Sequence, residues 1–186
     1  MKKIILPITI LSSLSASAFS GVQNFDLNIS EHSVQSHINL SSPWKDISQQ
    51  ASFIYSDDIK HDKNGYGIFY GLYNNYRGND ISASFGEKYM KVDSYFEDGG
   101  ALALGGELRW HFYSSVSLRL TGHIAPSILA FGGMDEYQEL GAHIVFEVFP
   151  NTEIYAGVRD TEVKFDNFRG TSELQQGFNV GFQMNL

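Results

Sequence analysis

Acidic, basic and imidazole side chains recur at even spacings of two, four or six residues within segments of the second half of the chain: Glu107, Arg109 and His111, then Arg119 and His123, then Glu139, His143 and Glu147, then Glu153 and Arg159. An even spacing puts such groups on one face of a β-strand. If several strands turn that face inward, the charges meet in a confined space, where an unpaired buried ion costs several kcal/mol. Acids and bases must then pair across strands. The chemistry on offer is a lumen charge network, which either fills and stiffens a barrel interior or lines a narrow conduction path. If the turns at 114–115 and 150–151 share one height, Arg119 and Glu147 form a salt bridge.

Other chemistries find less support. Asp57, Asp58, His61 and Asp62 could supply an acid and base for hydrolysis or acyl transfer at an outer rim. Such catalysis needs a base held by an orienting partner and aimed at a nucleophile, and four polar residues in a short loop do not supply that by spacing. The reading is therefore not an enzyme, with no catalytic residues. The same aspartates lack an EF-hand spacing, and His37, His111, His123 and His143 form no HExxH pair, so no metal site is expected. No phosphate-cradling GxxxxGK[ST] occurs, and no cofactor is expected. Zero Cys excludes disulfides and thiolate chemistry. With 13 Lys+Arg against 21 Asp+Glu and a formal charge of −8, no nucleic-acid partner is expected.

The elements that would carry these groups follow from the hydrophobic period. Phe178, Val180, Phe182, Met184 and Leu186 alternate with Asn179, Gly181, Gln183 and Asn185, a half-buried strand pattern. Leu102, Leu104, Leu108, Trp110 and Phe112 alternate with Ala103, Gly105, Glu107, Arg109 and His111 in the same way. The pattern predicts ten strands near 22–30, 33–41, 47–56, 65–75, 80–90, 99–113, 116–127, 137–149, 152–163 and 174–186, with eight as the alternative count. Connectors alternate between short ones and longer polar ones at Asp57 to Asn64, Lys91 to Gly99, Leu129 to Glu136 and Lys164 to Glu173. That alternation is the mark of an outer-membrane barrel, with short periplasmic turns and longer external loops.

The chain of 186 residues opens with Lys2 and Lys3, an apolar stretch from Ile4 to Leu14, and Ala16-Ser17-Ala18. This is the layout of a secretory signal peptide, cleaved near Ala18, leaving 19–186 as one barrel domain. The composition, 14% aromatic and 18% charged with 18 Gly and a mean hydropathy of −0.19, suits neither disorder nor membrane helices. Alternation alone does not say which face is wet. Glycines interspersed with Glu, Arg and His on the polar face favour a narrow lumen over a water-facing exterior. Aromatics near the strand ends, Tyr55, Tyr66 and Tyr89 at one side and Trp110 and Phe112 at the other, suit interfacial girdles. The competing expectation is a soluble periplasmic barrel that binds a small apolar ligand at its centre.

Several segments also resemble a known family. Asp26-Leu27-Asn28-Ile29-Ser30, the run from Gly99 to Arg109 (GGALALGGELR), Ala125-Pro126, and Tyr155-Ala156-Gly157-Val158-Arg159 resemble the YfaZ family of predicted outer-membrane proteins of Gram-negative bacteria. The resemblance implies an outer-membrane barrel and carries over no catalytic residues. It also implies an insertion signal at the carboxyl end, here Phe178, Val180, Phe182, Met184 and Leu186. Such barrels usually end in Phe, and this chain ends in Leu186. The expectation is therefore an integral outer-membrane β-barrel of structural, adhesive or narrow-pore type. Its partners would be outer-membrane lipid and, during assembly, the insertion machinery, and the barrel would be a monomer.

Overall fold

The computed structural model describes residues 21–44, 46–58, 63–94, 97–166 and 171–186; the expected signal peptide and the loop residues His61 and Asp62 lie outside the described residues. Eleven strands follow in order: β1 (Val22–Ser30), β2 (Ser33–Leu40), β3 (Ile47–Asp58), β4 (Lys63–Arg77), β5 (Ile81–Ser94), β6 (Asp98–Tyr113), β7 (Val116–Ala125), β8 (Ala130–Phe131), β9 (Met134–Phe149), β10 (Thr152–Phe165) and β11 (Thr171–Asn185). Ten of them form the wall. The two-residue β8 only extends the edge of β7, pairing with Gly100 and Ala101 of β6. Each wall strand pairs antiparallel with its sequence neighbour, and β1 pairs with β11 from Asn24↔Asn185 to Ser30↔Asn179. The sheet is closed, and the ten-strand count replaces the eight-strand alternative.

The sidedness follows from the register. Leu104, Leu108, Phe146, Ile154, Val158, Phe178 and Val180 face outward and are exposed, whereas Asp26, Lys88, Arg119, Glu139, His143 and Arg159 are buried inside. Exposed large apolar side chains, among them Phe85 at 66% and Ile68 at 59%, run all the way round. Water would penalise such a belt, and a hydrocarbon layer welcomes it. Tyr55, Tyr66, Tyr89, Trp110 and Phe112 all lie on this outer surface. A soluble barrel with an apolar centre at this level is excluded.

Inward glycines make room for inward rings. Gly105 is opposite His123, Gly157 opposite His143 and Gly181 opposite Tyr155. A Cβ at Gly181 would lie 2.4 Å from the Tyr155 ring and 2.4 Å from the Leu27 carbonyl oxygen. The bare backbone there lets the ring lie flat against the wall and lets a small cylinder close.

The strands run further towards the loop side than the pattern predicts. β5 continues to Ser94, β9 starts at Met134, β10 reaches Phe165 and β11 starts at Thr171, so the long loops are shorter than expected. In these extensions the polarity of the faces inverts. Met90, Val92, Met134, Tyr137, Val163, Phe165 and Leu174 point inward and cluster with Ile54, Phe69, Ala101, Ala103 and Ala125. Lys91 and Lys164 point outward and are exposed, and Glu136 beside them is half-buried; Lys164 Nζ reaches Glu136 Oε2 at 2.5 Å. The lumen is thus polar through its turn-side and middle levels and apolar at its loop-side end, which corrects the expectation of a polar interior throughout. The physical reason is a change of surroundings: above the hydrocarbon the outer face meets water, and the cylinder becomes an ordinary barrel with a greasy core.

Replacing Gly181 with Val should cost at least about 2 kcal/mol through overpacking against Tyr155. A lower temperature for conversion of the compact, heat-modifiable gel band to the unfolded band measures it.

Candidate functional site: the charge network in the lumen

Two clusters occupy the polar part of the interior. At the turn side, Arg109 on β6 makes a two-pronged contact with Glu153 on β10, Nη1 to Oε2 at 3.0 Å and Nη2 to Oε1 at 2.7 Å, and its Nε donates to Ser117 Oγ at 2.8 Å. Arg119 on β7 stands opposite Arg109 in register. Its Nη1 donates to Asp26 Oδ2 at 3.3 Å and its Nη2 to Gln183 Oε1 at 3.1 Å. Glu153 and Glu107 lie 3.7 and 3.9 Å from the same guanidinium, which also covers the Tyr155 ring at 4.7 Å. Tyr155 in turn donates to Asp26 Oδ1 at 2.5 Å. Strands β1, β6, β7, β10 and β11 are thereby tied across the lumen around one arginine.

Towards the loop side, Glu139 on β9 is the centre. Lys88 of β5 forms an ion pair with its Oε2 and donates to the Tyr137 hydroxyl at 3.0 Å. His123 Nδ1 lies 3.0 Å from the same carboxylate oxygen, and Arg159 Nε lies 3.9 Å from Oε1. Tyr73 Oη is 3.1 Å from His123 Nε2. Arg159 Nη1 also donates to Gln35 Oε1 at 2.5 Å. Between the clusters, Asn179 Oδ1 accepts from Asn28 Nδ2 at 2.8 Å and faces His143 Nε2 at 2.7 Å, while Gln175 Nε2 donates to Asn28 Oδ1 at 2.6 Å. Four cations, Lys88, Arg109, Arg119 and Arg159, thus face four carboxylates, Asp26, Glu107, Glu139 and Glu153. Among the described residues the two clusters are charge-balanced, as a low-dielectric setting demands.

Most of the charged residues singled out by spacing meet in these clusters: Glu107, Arg109, Arg119, His123, Glu139, Glu153 and Arg159. His143 joins the amide layer between them, and His111 lines the turn-side mouth. Glu147 does not join them. It is exposed, pairs in register with Glu153, and its backbone N–H donates to Ser115 O at 2.9 Å. The salt bridge expected between Arg119 and Glu147 is therefore corrected. Adjacent strands of a closed barrel are staggered, so Arg119 lies opposite His143, four residues and about 13 Å along the strand from Glu147. Spacing missed Asp26, Lys88 and the three inward tyrosines Tyr73, Tyr137 and Tyr155. The signal was present: Lys88 continues the Ser82, Ser84, Gly86 series, and Tyr155 lies between Glu153 and Gly157. Asp57, of the loop residues weighed for catalysis, is exposed at the end of β3. Among the described residues no group of three His, Asp or Glu could hold a metal ion.

A closed antiparallel cylinder with a lipid-compatible belt and charge-balanced clusters inside defines a transmembrane β-barrel of the outer-membrane type. The family model described as YfaZ precursor matches residues 1–186. The chain belongs to that family. Among solved structures it is similar to the KdgM porin in complex with disordered oligogalacturonate, at 9% identity and TM-score 0.45, covering 89% of this chain and 99% of that one. It is similar to the NanC porin at 11% identity and TM-score 0.45, covering 90% and 100%. A third is the outer membrane channel DcaP of Acinetobacter baumannii, at 8% identity and TM-score 0.45, covering 87% of this chain and 54% of that one. The chain thus spans about half the length of DcaP. No curated protein sequence matches the chain.

Replacing Glu139 with Gln leaves Lys88 and Arg159 buried beside a neutral amide and should cost about 3–5 kcal/mol. Adding Lys88→Met to that variant should recover part of the loss. Urea unfolding of the refolded barrels in detergent, followed by tyrosine and tryptophan fluorescence, measures both.

Proposed function

We propose that this protein is a closed, monomeric outer-membrane barrel with a structural role, and that its lumen is a core, not a transport path or a catalytic site. One observation carries the reading: inward of the turn-side mouth, ion-paired and hydrogen-bonded side chains are followed by an apolar plug in which Met90, Val92, Met134, Tyr137, Val163, Phe165 and Leu174 are buried together at the loop-side end. An apolar constriction of this kind resists wetting, and a ten-strand cylinder is close to the size that side chains fill. The lumen residues Glu107, Arg109, Arg119, His123, Glu139, His143, Glu153 and Arg159 act in this reading as a neutralised scaffold. The porin likenesses are of fold and bring no solute to this chain.

The chain matures in this reading by signal-peptide cleavage near Ala18. It is then delivered to the insertion machinery by the outward stripe Phe178, Val180, Phe182, Met184 and Leu186, whose upper members stand beside Ile29 and Leu27 of β1. The apolar alternation supports recognition in spite of the terminal Leu.

Folded mature protein in a planar lipid bilayer should show no steady single-channel current in molar KCl. Reproducible ohmic steps from the wild type, altered by Arg119→Gln, would overturn the closed-barrel reading and establish a narrow pore. Intact mass of the membrane-extracted protein should correspond to a chain beginning at Phe19.

A further inference from the structure

Inside the barrel each of the four cations has a carboxylate partner. That rule ends at the turn-side mouth. Between the β4–β5 turn and the β6–β7 turn lies a half-open depression of about 650 Å³, bordered by Arg77, Asp80, Ser82, Arg109, His111 and Tyr113. The size falls within the range of small-molecule sites. Arg77 belongs to the inward series of β4 and stands opposite Ser82 in register. Arg109 at its border is held by Glu153, and the space forms a vestibule at the mouth of the barrel.

Of its three charged borders, two are opposite in sign and unpaired. Neither Arg77 nor Asp80 forms an ion pair among the described residues, although both line this one space. The backbone keeps their positions fixed: Gly78 N–H donates to Ile81 O at 2.7 Å, and His111 N–H donates to Asp80 O at 2.7 Å. Residues this close in sequence could meet across their own turn, and here the turn holds them apart at the edge of the depression.

We propose that this vestibule binds a small zwitterion of the amino-acid or short-peptide class, its carboxylate on Arg77 and its ammonium on Asp80. A guanidinium holds a carboxylate through paired N–H donors, and a carboxylate accepts from the three donors of an ammonium. The Ser82 hydroxyl and the His111 ring supply further polar contacts. Tyr113, 71% exposed, offers an aromatic face to an apolar ligand side chain. With short turns on the periplasmic side, the site opens to the periplasm, where such molecules are at hand.

The test is isothermal titration of the folded, full-length mature barrel in detergent with L-alanyl-L-alanine, its N-acetyl form and its C-terminal amide. The free dipeptide should bind at a single saturable site, and each capped form at least tenfold more weakly. Arg77→Gln should abolish the preference for the free acid over the amide, and Asp80→Asn the preference for the free amine over the N-acetyl form. Both residues are exposed, so both variants should keep the wild-type heat-modifiable mobility, which is checked first. No saturable heat with the free dipeptide overturns the proposal. So does equal affinity for the capped forms, or an unchanged affinity in Arg77→Gln.

Discussion

Within a hydrocarbon layer no water is present to satisfy a backbone N–H or C=O, and this constraint shapes the rest of the molecule. A sheet meets it only by having no edge, which the pairing of β1 with β11 achieves. Closure then fixes an inside and an outside for every strand. With the period of two, it gathers most charged side chains of the membrane-level strands on the inward face, with Glu87 of β5 an exposed exception, and the inward charges pair with one another. The balance of Lys88, Arg109, Arg119 and Arg159 against Asp26, Glu107, Glu139 and Glu153 is the electrostatic consequence of closing the sheet.

The same rule explains why the interior is not uniform. On β10, Glu153 and Arg159 point inward at membrane level while Ile154 and Val158 face lipid; further along, Val163 and Phe165 point inward and Lys164 faces out. Side-chain parity does not change along β10. What changes is the medium outside, and the side chains exchange character with it. A single strand carries a membrane-type pattern and then a soluble-type pattern, and the apolar cluster at the loop side is the core of the second part. A lumen so built is tightly tied, since removing one ion leaves its partners stranded in a medium that cannot hydrate them.

Much of this architecture was legible along the chain because a two-residue period maps directly onto the two faces of a strand. The outward stripe of β11, the inward Glu107 and Arg109 of β6, and the glycines set between charged residues could all be placed without coordinates. Lys88 and Asp26 could have been, since each continues a polar series. The loop-side ends escaped because Val92 and Phe165 break the expected link between apolar and outward, and so looked like loop.

What sequence alone determined was the alternation, and with it the fold class, the setting and the set of side chains that share a face. Which of those side chains touch was decided by the tertiary structure. Pairing depends on the stagger between neighbouring strands, a property of how the whole sheet closes and of no single segment. That stagger sets Arg119 against Asp26 of a strand distant in sequence, gathers Lys88, His123 and Arg159 around Glu139, and leaves Glu147 outside at the rim.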